Sequence, residues 1–176
     1  MLLISNHLLQ YPIVIPAGAL IRINIAWIGG VFQLGNILET IKYNVFLDFP
    51  EGRQKPPKSN ISFQEMMGMV EKHKNVKYVA VSNIESKDVA WLYKQSMPKG
   101  VGFVPKIETR KGVDNIQEII SEAKSEYIML DTEDLFTDVK DATVYLDLVN
   151  YIEDVCIKKN VVILKIQGVV FAPWEN

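Results

Sequence analysis

The stretch Val104–Ile119, "VPKIETRKGVDNIQEI", decides how this chain is read. It opens as an apolar run, carries Lys106 and Glu108 two positions apart at its end, and passes at once into an amphipathic pattern. Residues two apart on a strand point to the same side, so the ammonium and the carboxylate share a face. A strand that runs straight into a helix is one βα unit. Working outward, similar runs occur at 20–26 "LIRINIA", 44–49 "NVFLDF", 78–83 "YVAVSN", 102–108 "GFVPKIE", 127–131 "YIMLD" and 161–166 "VVILKI". Most are continuously apolar, the pattern of parallel strands covered on both faces. Between them, "SFQE" at Ser62–Glu65 and "DNIQ" at Asp114–Gln117 have capping-box form, and Asp141 is placed to cap the long helix that follows. Right-handed crossovers wind such a repeat into a barrel-like or a doubly wound sheet.

With 176 residues and 48% apolar content, the chain can bury one sizeable core, and its length favours a single domain, 1–176. Nineteen basic residues stand against 21 acidic ones without long runs, which argues against nucleic-acid or membrane-surface partners. The greasy segment Tyr11–Leu34 contains Pro12, Pro16, Arg22 and Asn24, which a lipid-facing helix tolerates poorly. The N-terminus has no basic region before its apolar run, so a secretory signal is not expected. The lone Cys156 cannot form an internal disulfide and points to a reducing cytoplasm, with the thiol as packing.

Chemistry in parallel α/β folds gathers at the carboxyl ends of the strands. There the six runs deliver, in order, Arg22 and Asn24; Asp48; Ser82 and Asn83; Lys106 and Glu108; Asp131, Glu133 and Asp134; Lys165 and Gln167. A lone Lys-x-Glu reads more readily as a structural ion pair, because paired buried charges are common without function. The carboxylates of the next strand add the chemistry: Glu108 and Asp134, from neighbouring strands, offer hard oxygen ligands suited to Mg²⁺ or Mn²⁺, which fills its remaining positions with water and substrate.

The run 78–95 "YVAVSNIESKDVAWLYKQ" with 101–135 "VGFVPKIETRKGVDNIQEIISEAKSEYIMLDTEDL" resembles the barrel domain of pyruvate kinase. More broadly it resembles the phosphoenolpyruvate/pyruvate superfamily, which includes citrate lyase-type and HpcH/HpaI aldolases. Upstream, "LIRINIAW" is similar to that family's Arg-Leu-Asn strand and "VFLDFPEGRQK" to its Leu-Asp-x-x-Gly-Pro-x-x-Arg segment. The likeness spans about residues 20 to 167 and is strongest where "KIET", "GVDNIQEI" and "EDL" fall in register.

The resemblance implies a truncated or incomplete TIM (β/α) barrel of about six parallel strands. It implies that Glu108 and Asp134 bind the divalent metal, that Lys106 faces the phosphoryl or enolate oxygen, and that Arg22 holds an anionic substrate group. Asn24 and Asp48 match positions that help coordinate a monovalent cation such as K⁺. Ser82 matches a pocket hydroxyl, and backbone amides around Glu133 and Asp134 would receive the substrate carboxylate. The implied substrate is pyruvate, phosphoenolpyruvate or a related 2-oxo acid, handled through an enolate in lyase or aldolase chemistry.

Departures from that pattern matter too. The chain runs from "EGRQKPPKSN" straight into "ISFQEMM" where pyruvate kinase inserts a lid, Ile166 stands where the family's proton-donating Thr belongs, and Ala26 replaces a Ser. A nucleotide-dependent kinase is therefore not expected. The alternative is a degenerate barrel that binds a ligand or serves in assembly without catalysis. Six strands leave two sheet edges, so "LLISNHLLQYPIVIP" and "GVVFAPWEN" are expected either to complete the wall in cis or to pair with another copy in a homodimer. Met66, Met67 and Met69, and Trp27 and Trp91, read as packing; His73 reads as a helix-end group, and Lys55 and Lys58 as solvated.

Overall fold

The computed structural model of the protein describes residues 1–52 and 56–165. Lys55, Ile166, Gln167 and the stretch 168–176 lie outside the described residues. Seven parallel strands form a single sheet in chain order: β1 Leu3–Ser5, β2 Leu20–Asn24, β3 Val45–Phe49, β4 Val76–Val81, β5 Gly102–Ile107, β6 Tyr127–Leu130 and β7 Val162–Lys165. The sheet curls into a half-barrel. Helix α1 (Val31–Thr40) follows β2, α2 (Phe63–Lys72) follows β3 and α3 (Lys87–Gln95) follows β4. After β5 come α4 (Arg110–Asp114) and α5 (Ile116–Ala123), and after β6 come α6 (Thr132–Val139) and α7 (Ala142–Lys159).

The expected six strands become seven because the N-terminal segment adds β1 in cis, with Leu3 opposite Leu20 and Ser5 opposite Arg22. Three residues are too short a run to show a period, which is why composition alone does not mark this strand.

Alternation along each strand divides its residues between two layers. Val45, Leu47 and Phe49 of β3 enter the large core against the helices, with Ile21, Ile23, Val79, Val81, Ile107, Ile128 and Leu130. The other face carries a smaller apolar layer of Leu20, Phe46, Ala80, Val104, Met129 and Leu164. Asp48 follows Phe46 on that inner face, as Lys106 follows Val104. The polar groups thus stand one step above an apolar floor, toward the carboxyl rim.

Pro105 lies within β5, where it has no N–H to give a ladder. On one side of β5, Gly102 through Pro105 register with β4; on the other, Lys106 and Ile107 register with Met129 and Leu130 of β6. Lys106 O still accepts from Ile84 N just beyond β4, so the strand end that bears Lys106 is held from both sides.

Helix starts follow local chemistry. Ser62 and Glu65 form the expected capping box of α2, and Asp141 accepts from the amides of Thr143 and Val144 to cap α7. "DNIQ" is not a cap. Thr109 caps α4 instead, its hydroxyl accepting from Gly112 N at 3.1 Å, so Asp114 ends a helix where it was expected to precede one. The side chain of Asn115, at the junction to α5, donates to Glu85 O at 2.9 Å.

Met66 and Met67 are buried, and Met69 packs against the core. His73 Nδ1 lies 2.8 Å from Met69 O at the end of α2. Cys156 is buried, and burial pushes its thiol up to about 11, as suits a packing group. The tryptophans depart from expectation: Trp27 is 60% and Trp91 51% exposed, so neither is core packing. Among the described residues no helix is long and apolar enough to cross a membrane.

Candidate metal and substrate site

At the carboxyl rim an open cavity of about 320 Å³ collects side chains from β2, β4, β5 and α6. Eight of the residues expected at the strand ends line it: Arg22, Asn24, Ser82, Asn83, Lys106, Glu108, Asp131 and Asp134. Thr109 and Asp138 join them.

Lys106 is the centre of the arrangement. Its ammonium has three N–H groups, and the chain supplies three acceptors: Glu108 Oε1 at 2.8 Å, Ser82 Oγ at 3.0 Å and Asp48 Oδ1 at 3.2 Å. Burial alone would pull the lysine pKa down, but the Asp48 and Glu108 carboxylates outweigh it and hold the group above its ordinary value. Asp48 is the mirror case. Burial pushes its carboxyl up, yet Lys106 and Arg22 together hold it below the usual range. Arg22 donates through Nε to Asp48 Oδ2 at 3.1 Å, and one of its terminal nitrogens pairs with the same oxygen. A quarter of the Arg22 side chain stays exposed, on the cavity side.

Asp48 therefore lies beneath the cavity as the counter-ion of two cations. Asn24 is committed as well, its Oδ1 accepting from Ala26 N at 3.0 Å in the turn that ends β2. Of the pair for which the resemblance implies a monovalent-cation role, Asn24 lines the cavity and Asp48 faces two protein cations. Glu133 is exposed on α6 and does not line the cavity. The amide of Asp134 donates to Asp131 Oδ1 at 3.3 Å, so the helix cap takes a backbone group expected to receive a substrate carboxylate. Lys165 belongs to the outer face, where it pairs with Glu153 of α7, and is absent from the rim.

The structure brings Asp131 beside the two carboxylates expected to hold a metal. One oxygen each from Glu108, Asp131 and Asp134 can be chosen so that all lie within 4.8 Å of one another. The spacing explains how. Asp131 is the N-cap of α6 and Asp134 its third residue, so the geometry that caps the helix also brings two carboxylates together beside Glu108 of the next strand. The "DTED" spacing carried that information in the sequence. An oxygen-only carboxylate set is what a hard divalent cation takes. The charge count agrees: the lining holds two basic residues, Arg22 and Lys106, against four acidic ones, Glu108, Asp131, Asp134 and Asp138.

No protein-family model matches the sequence, and neither does any curated protein. Solved structures do. The crystal structure of the citrate synthase SbnG aligns with a TM-score of 0.63 over 86% of this chain and 69% of that enzyme, at 11% identity. A variant of it gives 0.64 over 85% and 67%. An HpcH/HpaI aldolase/citrate lyase family protein from Burkholderia cenocepacia J2315 gives 0.52 over 82% and 78%, at 9% identity. At such identities the likeness is one of fold, and the fold is the one these enzymes share.

Proposed function

We propose that the protein is a divalent-metal-dependent enzyme acting on pyruvate, phosphoenolpyruvate or a related 2-oxo acid through an enolate, in lyase or aldolase chemistry. The observation that carries this reading is the clustering of Glu108, Asp131 and Asp134 around one point at the rim, beside buried Lys106 and partly exposed Arg22. Mg²⁺ or Mn²⁺ held there would supply Lewis-acid neutralisation of the negative charge that develops on the 2-oxo oxygen. The names borne by the structures of like fold, citrate synthase and aldolase/citrate lyase, support the same reaction class.

The chain's own residues do the rest. Lys106 stays protonated, because releasing its proton would leave buried Glu108 without its cation and Asp48 with Arg22 alone. It therefore acts as a fixed positive charge beside a developing oxyanion, with its nitrogen lone pair unavailable for a Schiff base. Arg22, anchored by Asp48, presents the rest of its guanidinium to a substrate carboxylate. Ser82 holds the lysine in place through its hydroxyl.

A second reading, a ligand-binding or assembly module without catalysis, draws on one observation: each cation of the site is already paired to a protein carboxylate. Exchange of the pyruvate methyl protons in D₂O with Mn²⁺, followed by NMR, separates the two. The enzyme reading predicts exchange that Glu108→Gln abolishes. Absence of exchange in the wild type, with metal binding retained, leaves the module.

A further inference from the structure

The carboxylate of Glu108 is held at both oxygens. Lys106 Nζ takes Oε1 at 2.8 Å, and the backbone amide of Asn83 donates to Oε2 at 2.9 Å. The amides on either side of Asn83 behave differently: Ser82 N bonds to Phe49 O of β3 and Ile84 N to Lys106 O of β5. The chain turns here, just past the end of β4, and Asn83 has φ +55°, in the left-handed region. Most L-residues pay of order 1–2 kcal/mol for that conformation, whereas Asn adopts it more readily. Its side chain fixes the turn further, with Nδ2 donating to Glu51 O at 2.7 Å. Glu51 is itself held by the Tyr93 hydroxyl.

We infer that Asn83 is the positioning residue of this site: its left-handed turn aims a backbone amide at Glu108 Oε2 and sets the carboxylate in the orientation that meets a cation shared with Asp131 and Asp134. The inference rests on the proposed metal site and adds to it a residue that is not itself a ligand. One lone pair of each Glu108 oxygen is engaged by the protein, which leaves the outward pairs for the cation. Groups that orient a ligand in this way are typically worth about 10–100-fold in metal affinity.

The test uses the full chain. In the metal-free protein, Glu108→Gln removes the charge from the acceptor, so the Asn83 amide proton should move upfield in a ¹H–¹⁵N spectrum. Mn²⁺ titrations of Asn83→Gly and Asn83→Ala then separate turn from side chain. Glycine keeps the left-handed turn and the amide, and its affinity should stay within about threefold of wild type. Alanine puts a Cβ into the strained conformation and should weaken Mn²⁺ binding about 10–100-fold. An unmoved amide, equal affinities in all three proteins, or equal losses in both variants overturns the inference. A wild type that binds no Mn²⁺ while the amide still moves removes the proposed function and Asn83's cation role together. Normal binding with an unmoved amide removes the inference alone.

Discussion

At Lys106 burial and charge pull in opposite directions, and the balance gives the site a pH signature. A lysine raised above 10.5 in the folded state contributes stability that is present in full below about pH 10.5 and lost as pH rises through its folded value. Asp48, depressed below 3.8, contributes stability present above about pH 4 and lost as pH falls through its folded value. Urea unfolding should therefore show a plateau between these limits and a decline on both sides; a stability that keeps rising below pH 4 would contradict the pairing. Removing the central cation is the sharper test. Lys106→Met leaves Asp48 and Glu108 buried without their ammonium, a loss of about 3–5 kcal/mol by urea unfolding. A loss under about 1 kcal/mol would mean that the pair is solvated.

Among the elements, the six runs were legible because β-branched and aromatic residues fill them, most without a polar alternation. The boundaries shifted by one or two residues where strands yield to caps: "LIRINIA" ends at Asn24 because that side chain closes a short turn on Ala26. The Lys106–Glu108 pair could be placed on one face from period alone. Asp131 was placed at the rim without being counted as a ligand; the structure makes it the N-cap of α6, and that cap sets its carboxylate near those of Asp134 and Glu108. Lys165 was read at the rim, yet it faces α7, since its registered partner is Leu130 on the outer side of β6. Nothing in the run "VVILKI" distinguishes its two faces. Asn83 escaped notice as a turn because single left-handed residues leave no period.

The β4–β5 pairing makes its own prediction. Tyr78 is opposite Gly102, and its ring stacks on Phe46 and meets Tyr127 edge-on. A Cβ at Gly102 would lie 2.5 Å from that ring, which its neighbours hold in place. Gly102→Ala should destabilise the fold by about 1–3 kcal/mol, read as a lowered midpoint of unfolding. An unchanged midpoint would mean that the Tyr78 ring is free to swing aside.

For the molecule as a whole, the half-barrel puts its charged groups at one rim above an apolar floor, and the open curl leaves the cavity accessible. Among the described residues, β1 and β7 each pair on one side only. Unpaired edges invite another chain, and we propose that a second copy covers them; light scattering should then give twice the 20.0 kDa chain mass, and a compact monomer would contradict it. The fold alone permits several chemistries, so the account stands on the rim carboxylates. Titration of the wild-type chain with Mn²⁺, followed by electron paramagnetic resonance, tests them most directly. The prediction is one bound Mn²⁺ per chain, with Glu108→Gln and Asp131→Asn each weakening it by about tenfold or more. A wild type that binds none, or variants that bind as well as the wild type, would contradict it.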